Sequence, residues 1–207
     1  LKDTRNSKLS KEIRQYMMED KWHPECVRCQ TESEAGMRSR QSYENEIWIN
    51  TGDYKWDELL SHTQEDGTID VDKIDCSFYD VRFGNLCNLR CRMCGPTDSS
   101  MWYEDQVKLW GPKYKDSHGP VNLVKNTKGK FEPDVNVYDW HQSDHYWEQM
   151  DANISEIKKL YIVGGEPLMI DRHYEFLQKC VDEGHAHKII VEYNTNLTNV
   201  PQRAWDV

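Results

Sequence analysis

The chain has 207 residues, with 26 Lys and Arg against 36 Asp and Glu and a formal net charge of −10. That length suffices for one large domain, or a domain with a smaller companion, around a buried core, and 8 Trp with 11 Tyr argue against disorder throughout. The acidic balance disfavours nucleic acid as a partner, no run of 18 apolar residues offers a membrane span, and the opening LKDTRNSKLSKEIRQ lacks the apolar stretch of a secretory signal. A cytoplasmic protein is expected.

Residues 8–20 (KLSKEIRQYMMED) place Leu9, Ile13, Tyr16 and Met17 on one helical stripe that leads into His23, Pro24 and the pair Cys26-x2-Cys29, a small metal-type knuckle. TESEAGMRSRQSYENEIW reads as helical in part, ending near Asn50, and EDGT at 65–68 signals a hairpin. From Ile74 the pattern changes: IDCSFYDVRF alternates and is rich in β-branched and aromatic residues, a strand, and the loop CNLRCRMC follows it directly. Thr97 or Asp98 can cap a helix through SSMWYEDQVKLW, closed by Gly111-Pro112. Residues 112–142 are polar and broken by Gly and Pro, a long loop or insertion that is either a solvated excursion or a lid. A short helix around HYWEQMDANIS precedes the buried strand LYIVGG (160–165). Then come the helix RHYEFLQKCVDEG, with Tyr174, Leu177 and Val181 on one face, and the strand KIIVEYNTN (188–196).

Strands alternating with helices imply right-handed βαβ units and a parallel sheet. A full eight-fold barrel needs about 250 residues, and 120 residues follow Cys87. The expected fold is therefore α/β, a partial (β/α) TIM-type barrel, incomplete at its C-terminal side, behind a small, mostly helical, cysteine-bearing segment. The chain starts at Leu1 rather than Met and reads as a fragment.

In a cytosolic chain, tight groups of cysteines read as metal sites. Of the seven, Cys76 and Cys180 stand alone at apolar positions and read as core. Cys87, Cys91 and Cys94 fall at C-x3-C-x2-C on one loop. A four-iron cube takes four thiolates, so a trio leaves one iron open to another ligand. A zinc reading joins Cys26-x2-Cys29 to Cys91-x2-Cys94, but leaves Cys87 unused. Gly164 and Gly165 at a strand end allow close backbone approach to a ligand and Glu166 adds a carboxylate; the plainer reading is a βα turn with a helix-capping acid. Since ligands gather outside the carboxyl ends of parallel strands, CNLRCRMC, GGEP and NTN would share one mouth. His141 and His145 form H-x3-H, which can put two ligands on one helical face. No third ligand accompanies them in a polar segment, so they read as exposed, and His185 and His187 suggest no site.

On CNLRCRMC and GGEP, residues 74–207 resemble the radical S-adenosylmethionine (SAM) enzymes. The resemblance implies a 4Fe-4S cluster on Cys87, Cys91 and Cys94, with SAM chelating the fourth iron. It further implies reductive cleavage of SAM to a 5′-deoxyadenosyl radical that abstracts hydrogen from a peptide or small organic substrate, an oxidoreductase or transferase chemistry fed by a flavodoxin or ferredoxin. Gly164, Gly165 and Glu166 would orient the SAM amino group, and Thr195 and Asn196 would lie near the cofactor. Met93, where the family often has an aromatic residue, would offer its main chain to adenine. HPECVRCQTESEAGMRSR is similar to the cysteine-bearing part of SPASM or twitch extensions. Residues 1–70 would then be an auxiliary segment with Cys26 and Cys29 on a second iron-sulfur cluster, and 71–207 the radical SAM core. Two cysteines do not complete a cluster, so a zinc-bound or unliganded pair stays open beside that reading. The alternative functions are a zinc-stabilised binding module and an inactive truncated fragment.

Overall fold

The computed structural model describes residues 3–50, 54–117 and 119–207. The chain divides into two compact units, Leu1–Asp75 and Cys76–Val207. Among the described residues no helix is long and apolar enough to cross a membrane.

The first unit is helical: α1 (Lys8–Met18), α2 (Val27–Glu34), α3 (Arg40–Asn50) and α4 (Trp56–Ser61). Ser7 caps α1 by accepting the Ser10 N–H, which satisfies one of the donors a helix start leaves unpaired. No residue of α1 is buried, and Leu9 and Met17 of the predicted stripe are exposed. Polar contacts hold the helix instead: Arg14 donates to the carbonyls of Gly67 and Arg5, both at 2.6 Å, and Lys11 pairs with Asp66 at 2.6 Å. The hairpin expected at EDGT reduces to a single antiparallel bridge, Thr63 to Ile69. Gly67 turns it at φ 77°, where a Cβ would lie 2.1 Å from the Lys11 carbonyl oxygen.

The second unit carries, in chain order, β1 (Phe78–Phe83), α5 (Tyr103–Trp110), β2 (Lys113–Asp116), β3 (Gly119–Lys125), β4 (Phe131–Pro133), α6 (Asp144–Asp151), β5 (Lys159–Gly164), α7 (Asp171–Asp182), β6 (Ile190–Tyr193) and α8 (Arg203–Asp206). β1, β5 and β6 form a parallel sheet in the order β1-β5-β6, with Val81 opposite Ile162 and Ile162 opposite Tyr193. The fold is mixed α/β, and among the described residues no closed barrel forms.

Alternation along the strands gives this sheet two unlike faces. Tyr79, Val81, Phe83, Leu160 and Ile162 join Trp147 and Met150 of α6 and Phe176 and Cys180 of α7 in the core. Burying each large apolar side chain contributes about 1.5–3 kcal/mol. The opposite face is the more polar of the two, though Val163 and Ile190 lie on it. Asp80 accepts both Nε and Nη2 of Arg82 at 3.0 Å, Asn194 donates to the Tyr161 hydroxyl at 2.6 Å, and Lys159 pairs with Glu192 at 3.1 Å.

Three expectations need correction. Residues 112–142 are not a long loop: β2, β3 and β4 form an antiparallel sheet, because inward Val121 and Leu123 of β3 are buried and Asn126 to Gly129 make a tight turn. The helix start after the cysteine loop is capped by Ser99, which accepts the Met101 N–H, rather than by Thr97 or Asp98. On α7 the buried residues are His173, Tyr174, Phe176 and Cys180, while Val181 turns outward.

Candidate functional site

Parallel pairing brings the C-terminal ends of β1, β5 and β6 to one edge. The loops leaving them carry the cysteine trio, GGEP and NTN. Their splice begins at the glycines. Gly165 N–H donates to Gly84 O at 3.2 Å and Glu166 N–H to Leu86 O at 2.7 Å. A Cβ on Gly164, at φ 135°, would lie 2.3 Å from Phe83 O, and one on Gly165 2.3 Å from Leu86 O. The freed space is filled by the chain's own backbone, so at these α-carbons the close approach is between the β5 and β1 loops.

Glu166 is 1% exposed, and its carboxylate faces inward on three donors. Oε1 accepts the Leu168 N–H at 3.1 Å and the Thr195 hydroxyl at 2.6 Å, and Oε2 accepts the Asn196 N–H at 2.8 Å. The acid therefore caps the short turn Pro167–Met169, as the plainer sequence reading has it, and also ties down the loop after β6. Asn196 continues the tie to the cysteines. Its Nδ2 donates to Asn88 Oδ1 at 3.0 Å and approaches Cys87 Sγ at 3.8 Å, while Asn88 donates to Thr198 Oγ1 at 2.8 Å. Leu197, next in this loop, takes a left-handed φ of 53°, uncommon for a residue with a side chain.

Cys87 is buried, with the Leu89 N–H 3.5 Å from its sulfur. Cys91 is exposed and Cys94 half-buried. Around them the loop is folded by its own short bonds: Cys94 N–H to Cys91 O at 3.1 Å, Gly95 N–H to Asp98 Oδ2 at 2.9 Å, Ser99 Oγ to Leu89 O at 2.6 Å, and Trp102 Nε1 to Cys91 O at 3.3 Å. Burial pushes the Cys94 thiol above its ordinary range, and the negative charges of Asp98, Cys91 and Cys87 push it the same way. Among the described residues no three Cys, His, Asp or Glu side chains are gathered to hold a metal ion. Met93 stands 92% exposed at the tip.

The remaining candidates scatter. Cys26 closes the short turn Pro24–Cys26 and Cys29 lies in α2, both half-buried free thiols of the first unit. Cys180 is core as read, and Cys76 packs against it from a partly buried position. His141 is buried, not exposed: its ring packs edge-on to Phe83 at 5.8 Å, and its carbonyl accepts the Trp147 Nε1–H at 2.7 Å. His145 is exposed as expected; His187 is exposed too, and His185 is half-buried.

Sequence reasoning passed over Asn88, Thr198 and a buried polar group under the insertion. In that group Asn85 Nδ2 donates to Pro96 O at 2.7 Å and to the Tyr103 hydroxyl at 2.6 Å. The Tyr114 and Tyr138 hydroxyls lie 3.1 Å apart, and Tyr138 donates to Asp116 Oδ2 at 2.6 Å. Burial raises all three phenols above their ordinary pKa. Asn88 had a visible signal, being a polar residue directly after the first cysteine; the tyrosines had none. Between the polar sheet face and the insertion lies a cavity of about 540 Å³, lined in part by Arg82, Asp98, Lys115, Tyr138, Trp140 and Tyr161. No protein-family model matches the chain, and neither a curated protein nor a solved structure shows significant similarity to it.

Proposed function

We propose that the chain is a radical SAM enzyme with CNLRCRMC as its cluster loop, and that β1, β5 and β6 are the first strands of a (β/α) barrel of that kind. The observation that carries this reading is one hydrogen-bond network. It joins the Cys87 loop, the Glu166 turn and the Asn196 loop at a single edge of the parallel sheet. Three thiolates on one short loop fit three irons of a 4Fe-4S cluster and leave the fourth open. A cluster held by Cys87, Cys91 and Cys94, with SAM, would supply a 5′-deoxyadenosyl radical for hydrogen abstraction from a peptide or small organic substrate.

The chain's own residues prepare the place. The Leu89 N–H and the Asn196 amide point at Cys87 Sγ. Glu166 holds the third loop through its carboxylate and the first through its N–H on Leu86 O, and Asp98 and Ser99 fix the fold of the cysteine loop itself. The exposed Cys91 and Met93 leave that loop reachable. A flavodoxin or ferredoxin would deliver electrons, the protein would work in the cytoplasm, and Cys26 with Cys29 would contribute to a second iron-sulfur cluster.

The test is anaerobic reconstitution of the full chain with iron and sulfide, then dithionite and SAM. The expected product is 5′-deoxyadenosine; its absence from cluster-loaded protein refutes the proposal. Metal analysis of protein purified without oxygen separates the zinc-stabilised module, for which about one zinc and no iron are expected.

A further inference from the structure

We propose that the cavity between the polar sheet face and the insertion binds a small ligand through an oxyanion, carboxylate or phosphate, held by Lys115 and Arg82. That this ligand is the substrate rests on the radical SAM reading above; that the cavity binds it does not.

At about 540 Å³ the space falls within the range of roughly 300–1,000 Å³ in which small-molecule sites occur. Its selectivity follows from which polar groups are already engaged. Asp116 accepts from the Tyr138 and Ser117 hydroxyls, and Asp98 accepts from Gly95 N–H and Thr97 Oγ1. Asp80 accepts two hydrogen bonds from Arg82. The acids are thus taken up by the protein's own donors. The donors facing the cavity are less occupied. Arg82 uses two of its five N–H groups on Asp80, and neither the Lys115 ammonium nor the Trp140 indole N–H has a partner among the described residues. The Tyr161 hydroxyl accepts from Asn194 and keeps its own proton to donate. Lys115, Arg82, Trp140 and Tyr161 thus line one cavity with N–H and O–H groups to spare, whereas the acceptors of Asp98 and Asp116 are engaged, which favours a ligand that offers acceptor oxygens.

The insertion supplies one side of this grip. Lys115 lies on β2, and the strand is held by the buried bond from Tyr138 to Asp116 and the Tyr114–Tyr138 pair. The insertion sheet therefore places Lys115 on the wall of the cavity that Arg82 also lines.

The experiment is calorimetric titration of the full chain, purified without iron, with N-acetylglycylglycine, its C-terminal amide and inorganic phosphate. Lys115→Gln is compared with Lys128→Gln, which lies on the exposed turn between β3 and β4. Saturable binding of an anion that Lys115→Gln weakens by about tenfold and Lys128→Gln leaves unchanged supports the site. Lys115-dependent binding of the free acid but not of phosphate assigns a carboxylate ligand; the reverse assigns a phosphoryl group. Equal binding of acid and amide with no phosphate binding, equal effects of the two Lys variants, or no saturable binding of either anion below about 10 mM overturns the proposal. Because the protein carries no iron in this titration, anion binding without later 5′-deoxyadenosine formation sinks the radical reading alone.

Discussion

His173 makes the stability of the second unit depend on pH in a calculable way. The ring is 1% exposed on α7, 3.9 Å from the Tyr174 ring and 5.7 Å from that of Phe83. Nδ1 lies 2.5 Å from the Ile170 carbonyl oxygen, whereas buried Nε2 has no partner among the described residues. The carbonyl assigns the single proton to Nδ1. A second proton on Nε2 would bury a cation with no acceptor for its N–H. Burial accordingly lowers the imidazole from 6.5 to about 4.

An unfolded chain takes up this proton near pH 6.5 and the folded chain near pH 4. Folding stability from the neutral ring is therefore complete above pH 6.5, declines as pH falls through that window, and is fully lost below about pH 4. Proton linkage puts the loss at about 2 kcal/mol by pH 5 and about 3 kcal/mol in all. The assay is urea unfolding at pH 7 and pH 5 of wild type and His173→Phe, followed by tryptophan fluorescence. Phe keeps the ring contacts but cannot titrate, and it loses one hydrogen bond, about 1 kcal/mol at pH 7. Between pH 7 and pH 5 the wild type should lose about 2 kcal/mol more than the variant at unchanged denaturant slope. His141, whose pKa burial also lowers, is present in both proteins and cancels. Parallel pH dependences in the two would refute the reasoning.

Other perturbations probe the site directly. Glu166→Gln turns an acceptor into a donor facing Thr195 or Asn196, and should cost about 1–3 kcal/mol with loss of hydrogen-exchange protection at the Asn196 amide; unchanged protection counts against the tie. Gly165→Ala drives a Cβ to 2.3 Å from the Leu86 carbonyl oxygen, so about 3 kcal/mol or more is expected in urea unfolding, against about 1–2 kcal/mol of backbone strain at Gly129→Ala, where nothing lies within 4 Å. Cys91→Ala should abolish iron uptake on reconstitution, whereas Cys180→Ala should retain it; equal loss in both would mean the ligand assignment is wrong. Tyr138→Phe leaves buried Asp116 without its phenol donor, and should cost about 2–3 kcal/mol, with faster amide exchange along β2 than along β5.

What could be read in the sequence follows from how locally each feature is determined. β1, α7 and β5 announce themselves because alternation and 3.6-residue periodicity act over a few residues. The cysteine trio is legible because covalent spacing alone brings the thiols onto one loop. The insertion hides its sheet, since β2 and β4 have 4 and 3 residues, too short for a periodic signal, and Tyr138 secures β2 by reaching Asp116 22 residues away. The strand expected at 188–196 pairs only over Ile190–Tyr193, because among the described residues β6 has a strand partner on one side alone and its continuation bends away to meet Glu166 and Asn88.

The glycines and Glu166 carry the more general lesson. A missing Cβ tells a reader that something approaches closely, but not what; at Gly164 and Gly165 it is the carbonyl oxygens of Phe83 and Leu86. A carboxylate at a strand end advertises an acceptor, and here the donors lie 29 and 30 residues further on, at Thr195 and Asn196. GGEP in this chain is a splice that binds the loops of β1, β5 and β6 to one another through buried backbone. The position of Cys87 Sγ is thereby coupled to residues that never touch sulfur. Disturbing Gly165 or Glu166 should thus loosen the thiol trio as a unit, an effect that replacing any one cysteine cannot imitate.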